Sequence, residues 1–350
     1  MRLTVRLAVV GTPGDRRVSL FRDAALAYGL AEPHVISWRD VLAGREVSAP
    51  AGALLRVESP GEDAGTDALL RGPGDPSRVG GGAAWYRAFL AGLGRIAAIP
   101  GVTLLADVDE IGVMFDKRRC HAVLERAGVP VPPAFEARSY EELRDLMAGR
   151  GWTRVFVKPA HGSSASGVIA FEVAAGRVRA ITSAARTGAV FHNSLRVRGY
   201  RDEADARCLV DHLAPDGLHV ERWFPKASTG GAPYDLRVVT VGGAPTHAVV
   251  RVGNAPMTNL HLGGRRGDLE IVRSRPRLWE SVLDAAGRAA ACFPGSLMTG
   301  VDVMIGSGRQ SVAVAEVNAF GDLLPGLTDF SGRGRSTYEE QVEAVLARWT

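Results

Sequence analysis

The sequence predicts an α/β protein with α+β parts: an N-terminal α/β unit followed by two units richer in strands. Three observations carry this. Short apolar runs alternate with amphipathic stretches through residues 1–105, the pattern of buried parallel strands covered by helices. From Leu218 the pattern turns strand-rich, with runs at Leu218–Phe224, Leu236–Val241 and His247–Val252. Two late apolar strands, Leu297–Ile305 and Val312–Val317, carry acidic residues in otherwise hydrophobic company.

The chain of 350 residues is long enough for two or three units with cores of their own. Charged residues make up 23% and hydrophobic ones 46%, an ordinary globular balance. No apolar run approaches the ~20 residues that cross a bilayer. The run Leu7–Val10 is too short for a secretory core and reads as the first buried strand, so a cytoplasmic location is the default expectation. Cys120, Cys208 and Cys292 are far apart and read as free thiols rather than a disulfide framework or zinc site. The net charge of +4 is spread out, without the aromatic–basic interleaving that tracks nucleic acid. Of 42 basic residues only three are lysine: Lys117, Lys158 and Lys226. Where arginine is the default cation, a retained lysine hints that a compact point charge is wanted.

In order, Leu3–Val10 reads as a strand, Ser19–Tyr28 as a helix, and His34–Ser37 and Ala53–Val57 as strands. Ser59–Gly82, rich in Gly, Pro and Asp, reads as a long loop. Trp85–Leu93 is helical and Val102–Leu105 a strand, with a domain boundary near 106–115. Asp116–Ala127 is a helix stopped by Gly128 and the prolines behind it. Val155–Lys158 and Val168–Val173 form a hairpin-like unit around the small-residue loop Ala160–Gly167. Residues 174–217 are arginine-rich and carry no clear periodicity. Ser281–Ala291 and Tyr338–Arg348 are helices. The expected units are 1–105, 106–217 with the glycine-rich loop, and 218–350.

Four constellations carry chemistry. Glu316 and Asn318, two apart on one strand, face the same side, and Asp302 on a neighbouring strand can join them. Two carboxylates and an amide oxygen suit magnesium, which keeps vacancies for phosphates. The same residues also fit a solvent-facing acidic pair, or carboxylates satisfied by arginines. Next, a strand delivers Lys158 to the loop His161-Gly162-Ser163-Ser164-Ala-Ser-Gly167, whose backbone N–H groups can approach phosphate oxygens. The loop is neither a P-loop nor a nucleophile elbow, and an ordinary flexible hairpin is the alternative. Third, Glu221-Arg222-Trp223-Phe224 offers a strand edge to an adenine ring, or is a strand with an exposed Glu-Arg pair. Fourth, Asp235 and Arg237 share one strand face, and Arg251 lies on the next strand. The two arginines can clamp a phosphate or carboxylate, or form structural cross-strand ion pairs.

This ordered series resembles the ATP-grasp superfamily over roughly residues 105–325. Phe115-Asp-Lys-Arg through Gly128-Val-Pro-Val-Pro is similar to its first lysine helix, and Lys158 with the loop to Gly167 to its second lysine and lid. Glu221-Arg-Trp-Phe resembles its adenine hinge, and Asp302, Glu316 and Asn318 its magnesium ligands. Arg251 with Asn259-Leu-His261-Leu-Gly263-Gly is similar to the branch that adds glutamate to peptides and proteins, as in ribosomal protein S6 modification. The chain departs from the family at Lys226-Ala-Ser-Thr, where an acidic ribose contact is usual, and at Leu262, where the peptide-ligating branch carries a basic residue.

The resemblance implies an ATP-grasp fold behind an N-terminal α/β pre-ATP-grasp domain. It implies ATP and Mg2+, replaceable by Mn2+, as cofactors. It also implies a carboxylate–amine ligase working through an acylphosphate, with Arg237 and Arg251 stabilising the transferred phosphate. Lys117, Lys158, the loop, the hinge and Asp235 would hold the nucleotide, and Asn259, His261 and Gly263 would meet substrate. The expected partners are a small-molecule carboxylate and an amine, such as an amino acid or peptide, with no nucleic acid and no membrane; homodimers are common in the family. Kinase-type phosphoryl transfer and a non-catalytic ATP-binding regulator are the alternatives.

Overall fold

The computed structural model describes residues 5–61, 63–162, 165–188, 190–321 and 324–349. The N-terminal unit runs β1 (Leu7–Gly11), α1 (Arg16–Ala27), β2 (His34–Ser37), α2 (Trp38–Leu42), β3 (Leu54–Val57), α3 (Ala64–Arg71), α4 (Gly82–Ala97) and β4 (Thr103–Leu104). Its four strands are all parallel, in the order β2-β1-β3-β4. Every residue of β1 and β3 is buried, which is why these strands read as continuous apolar runs rather than alternating ones. Helices α5 (Val108–Phe115) and α6 (Lys117–Arg126) lead out of this unit.

A second unit follows: β5 (Ala134–Ala137), α7 (Tyr140–Gly149), β6 (Arg154–Pro159), β7 (Ile169–Ala174), β8 (Arg177–Thr187), β9 (Val190–Tyr200), α8 (Glu203–Leu213) and β10 (Leu218–Arg222). These strands make an antiparallel sheet in the order β5-β10-β6-β7-β8-β9. The last unit holds β11 (Ser228–Thr229), β12 (Ala232–Val241), β13 (Ala244–Val252), β14 (Arg265–Gly267), α9 (Glu270–Arg273), α10 (Pro276–Ala291), β15 (Met298–Ile305), β16 (Val312–Asn318) and α11 (Thr337–Trp349). Its antiparallel sheet runs β14-β13-β12-β15-β16, with β11 paired to β12.

Two expectations need correction. The stretch 59–82 is not one long loop. It contains α3, capped by Asp63, and its 77–79 segment bonds to β9 through Val79 N–Phe191 O at 2.8 Å and Asn193 N–Ser77 O at 2.6 Å. The arginine-rich 174–217 is regular, forming β8, β9 and α8. Its alternation was obscured because β9 is an edge strand with much of its length exposed, and its register with β8 breaks between Thr182 and Ala184.

The cores explain how the units relate. One continuous apolar cluster joins the N-terminal unit to the C-terminal sheet, from Trp38 and Phe89 through Ile111 to Val301 and Val317. The second unit has a core of its own around Tyr140, Phe171, Leu209 and Val220. Phe89 is the hub of the first: its ring lies 5.5 Å from Trp38, 4.9 Å from Trp85, 4.7 Å from Phe115 and 6.4 Å from Phe320. Truncating it leaves a cavity where two units meet. Phe89→Ala is expected to cost roughly 3–5 kcal/mol in urea unfolding at constant m-value.

Candidate active site

The C-terminal sheet is two-faced because strand side chains alternate. Leu236, Val238, Val250, Val303 and Val317 point into the core with Val282, Ala286 and Ala289 of α10. The intervening residues Asp235, Arg237, Arg251, Asp302 and Glu316 therefore share the other face. Register sets them side by side: Asp235 opposes Arg251, Arg237 opposes Asp302, and Asp302 opposes Glu316. Gly300 opposes Asn318, and a Cβ there would sit 3.1 Å from Arg237 Nη1, so glycine makes room for the guanidinium.

These buried charges are mutually satisfied. Arg251 Nε donates to Asp235 Oδ1 at 2.9 Å, and its Nη2 lies 3.1 Å from Asp302 Oδ2. Arg237 donates from Nε to Asp302 Oδ1, and from Nη1 to Gly321 O at 2.6 Å. Lys226 donates to Asp235 Oδ2 at 3.0 Å and to Thr258 Oγ1 at 2.7 Å. Burial pushes the Asp235 carboxyl up, but Arg251 and Lys226 outweigh it and hold it well below the usual range. Burial likewise opposes the Glu316 charge, while Lys117, Lys158 and the arginines favour it and win.

The facing wall comes from the second unit. β10 pairs with β6, so His219 lies opposite Lys158 and Glu221 is two residues on. Lys158 Nζ donates to Glu221 Oε1 at 2.6 Å, and His219 Nε2 lies 3.0 Å from the same oxygen. A carboxylate oxygen only accepts, so Nε2 carries the ring proton. Burial lowers the His219 pKa and keeps it neutral near pH 7. Burial alone would raise the Glu221 carboxyl, but Lys158 and His219 bring it down to about 2. Asp116 caps α6 by accepting from Arg118 N at 3.0 Å, which starts the helix at Lys117. Lys117 Nζ then donates to Gly162 O at 2.7 Å and lies 3.8 Å from Glu316 Oε2.

Between the walls lies a cleft that opens to solvent. Phe156, Val168, Met257 and Met304 form its apolar part. All three lysines of the chain, Lys117, Lys158 and Lys226, line it with Glu221, Asp235, Arg251, Asp302 and Glu316. A second cleft shares Lys117, Gly162, Arg251, Asn259, Asp302 and Glu316 with the first and extends to Arg237, His261 and Asn318.

Not every expected residue reaches the clefts. Arg222 is exposed and lies over the Trp152 ring at 5.9 Å. His161 stacks on Tyr86 at 4.0 Å, and Gly167 is packed among Pro159, Val79 and Leu213. The Trp223 ring packs tilted against Phe156, a wall of the first cleft, at 4.8 Å, and Phe224 lies near Gly306. Gly263 ends the short turn at Leu260–Leu262. Ser163 and Ser164 lie outside the described residues. Sequence reasoning missed His219, whose signal was its two-residue spacing from Glu221, and the apolar walls Met257 and Met304. It noted Lys226 without giving it a place in the site.

The architecture is the ATP-grasp fold. The similar solved structures include D-cycloserine synthetase DcsG, with a TM-score of 0.59 and 16% identity over 98% of this chain and 99% of that one. The ATP-grasp ligase PsnB complexed with minimal precursor gives 0.55 and 19% over 99% and 100%. The D-alanine–D-alanine ligase from Bacillus anthracis complexed with ATP gives 0.54 and 15% over 98% and 96%. No protein-family model matches the sequence, and no curated protein matches it. Among the described residues, no helix is long and apolar enough to cross a membrane.

The Lys158–Glu221 pair gives a prediction. Glu221→Gln leaves the buried ammonium without its counter-charge and is expected to cost roughly 3–5 kcal/mol at pH 7 in chemical unfolding. Because the folded pKa of Glu221 is depressed, its contribution is full above the unfolded value near 4.5 and fades as pH falls toward about 2. The gap between wild type and variant should close over that window.

Proposed function

We propose that this protein is an ATP-dependent carboxylate–amine ligase. One observation carries the reading: three lysines and two arginines converge from opposite walls on two adjoining clefts that also present Asp302, Glu316 and Asn318. A triphosphate needs such cationic density, and the fold is one in which similar structures are ligases, one of them complexed with ATP.

In this reading the adenine lies between Phe156, Val168, Met257 and Met304, beside the Glu221–Phe224 hinge. Lys158, fixed by Glu221 and His219, and Lys117 neutralise phosphate oxygens. Burial lowers the Lys158 pKa, but Glu221 and Glu316 raise it further, so the ammonium stays charged. Asp302 and Glu316 are cross-strand neighbours, and Asn318 spends its Nδ2 on Gly300 O at 3.2 Å, leaving its amide oxygen as the donor atom. Among the described residues there is no group of three or more His, Cys, Asp or Glu that could hold a metal ion. Two carboxylates and one amide oxygen thus form a partial hard-oxygen set, suited to an ion whose remaining ligands are phosphates and water. Magnesium there, or manganese in its place, supplies charge neutralisation for the phosphates.

The arginines change partners. Arg237, paired with Asp302, and Arg251, paired with Asp235 and Asp302, turn to the phosphoryl group being transferred. The substrate carboxylate attacks the γ-phosphorus, ADP leaves, and an acylphosphate forms. An amine then attacks the acyl carbon and expels phosphate, giving the amide. Asn259 and His261, on the rim of the second cleft, face the acceptor side, where an amino acid or peptide amine fits. Closure of the second unit excludes water that would hydrolyse the acylphosphate.

Product analysis tests the reading. Incubation with ATP, Mg2+ and an amino-acid and peptide panel is expected to yield ADP, free phosphate and an amide by mass spectrometry. ADP with a phosphorylated product and no free phosphate would make it a kinase instead. With an active pair in hand, Lys158→Ala and Glu316→Ala should each lower ADP release by about 100-fold or more. Unchanged amide formation in Glu316→Ala at saturating ATP would remove the metal assignment.

A further inference from the structure

The second cleft has a wall that the ligase chemistry does not use. It is built by the N-terminal sheet. In the order β2-β1-β3-β4 the chain passes from β1 to one side and places β3 on the other, so β1 and β3 flank the topological switch point. In open parallel sheets, ligands bind in the crevice beyond the carboxyl ends of the strands at such a point. Here those ends are Gly11 and Val57, and the segments that follow carry Arg17 and Ser59, both of which line the second cleft. Thr12 Oγ1 donates to Pro60 O at 2.8 Å and ties the two segments together.

The chemistry of this wall is cationic. Arg17 faces Asp15 only at 3.9 Å, with both side chains about a quarter exposed at 24% and 23%. An ion pair that long and wet is weak. Asp15 has another task, accepting from Arg17 N at 2.7 Å as the cap of α1. Ser59 Oγ accepts from Gly61 N at 3.2 Å, which leaves its own O–H to donate. Across the cleft the carboxylates are already engaged, Asp302 with Arg237 and Arg251, and Glu316 with Lys117. Four cations, Arg17, Lys117, Arg237 and Arg251, thus face two carboxylates in the lining. Arg237 and Arg251 belong to the phosphoryl end, and Arg17 is on a different sheet unit.

We propose that the carboxylate substrate is a small molecule with two carboxylates, one presented to the phosphoryl group and the other held at the switch-point crevice by Arg17 and Ser59. The assignment of ends rests on the ligase reading; the anion site itself does not.

The test is isothermal titration of the full chain with succinate, glutarate, L-aspartate, L-glutamate and acetate, with and without saturating Mg-ADP. At least one of the four dicarboxylates should bind at least about tenfold more tightly than acetate. Arg17→Gln should weaken that binding by about tenfold or more, the usual scale for a lost charge-assisted hydrogen bond. Arg17→Lys should lose less, and Ser59→Ala a few-fold by the same reasoning. Arg22→Gln, on the same helix and paired with Asp23 at the surface, should match wild type. Mg-ADP affinity and melting temperature should be the same in Arg17→Gln as in wild type. The proposal is overturned if none of the four dicarboxylates binds wild type, or if Arg17→Gln binds them equally well. Failure of wild type to bind Mg-ADP would remove the ligase reading instead, while the nucleotide-free titrations would still decide the role of Arg17.

Discussion

Five charged side chains on one face of a hydrophobic sheet must neutralise one another or leave the fold. Asp235, Arg237, Arg251 and Asp302 are buried, and each sits opposite an opposite charge through strand register. Glu316 completes the row, with Lys117 reaching it from α6. An isolated charge at that depth would cost several kcal/mol, so each pair is a condition for the others. Removing any one member exposes its neighbours to that penalty. The same arrangement fixes the cations in place on the sheet face.

The opposite wall repeats the solution in smaller form. Lys158 is buried, and Glu221 and His219 hold it on a short antiparallel pair. This wall belongs to a unit with a separate apolar core, whereas the sheet and the N-terminal unit share one. Two cation-bearing walls on separately packed bodies are suited to close on a polyanion between them. Phe156, Val168, Met257 and Met304 form an apolar patch beside these charges, which the proposed reading gives to the flat, uncharged part of the same ligand.

Much of this was legible in the sequence where a short-range rule applied. The period of two put Glu316 with Asn318 and Asp235 with Arg237, and register confirmed the shared face. The scarcity of lysine pointed to three residues that proved to line one cleft. The ion pairing of Asp302 with two arginines was one of the open alternatives, and both pairs are present. What stayed hidden depended on distant contacts. His161 looked like part of a phosphate loop, but Tyr86 of α4 stacks on it. Helix α7 carried a signal in Ser139, whose hydroxyl accepts from Glu142 N at 3.1 Å, yet its apolar face is defined by packing against the second sheet. The edge strand β9 and the 77–79 segment bonded to it share no local pattern, because each supplies hydrogen bonds that only the folded chain brings together.

We propose that the Asp302, Glu316 and Asn318 oxygens form a metal site completed by nucleotide phosphates. Electron paramagnetic resonance of Mn2+ titrated into the protein, with and without ADP, tests it most directly. Tight binding of one or two ions is expected with ADP present, and weak binding without it, since two carboxylates and an amide leave the coordination shell unfilled. Equally tight binding in the absence of nucleotide, or no bound ion in its presence, would contradict it.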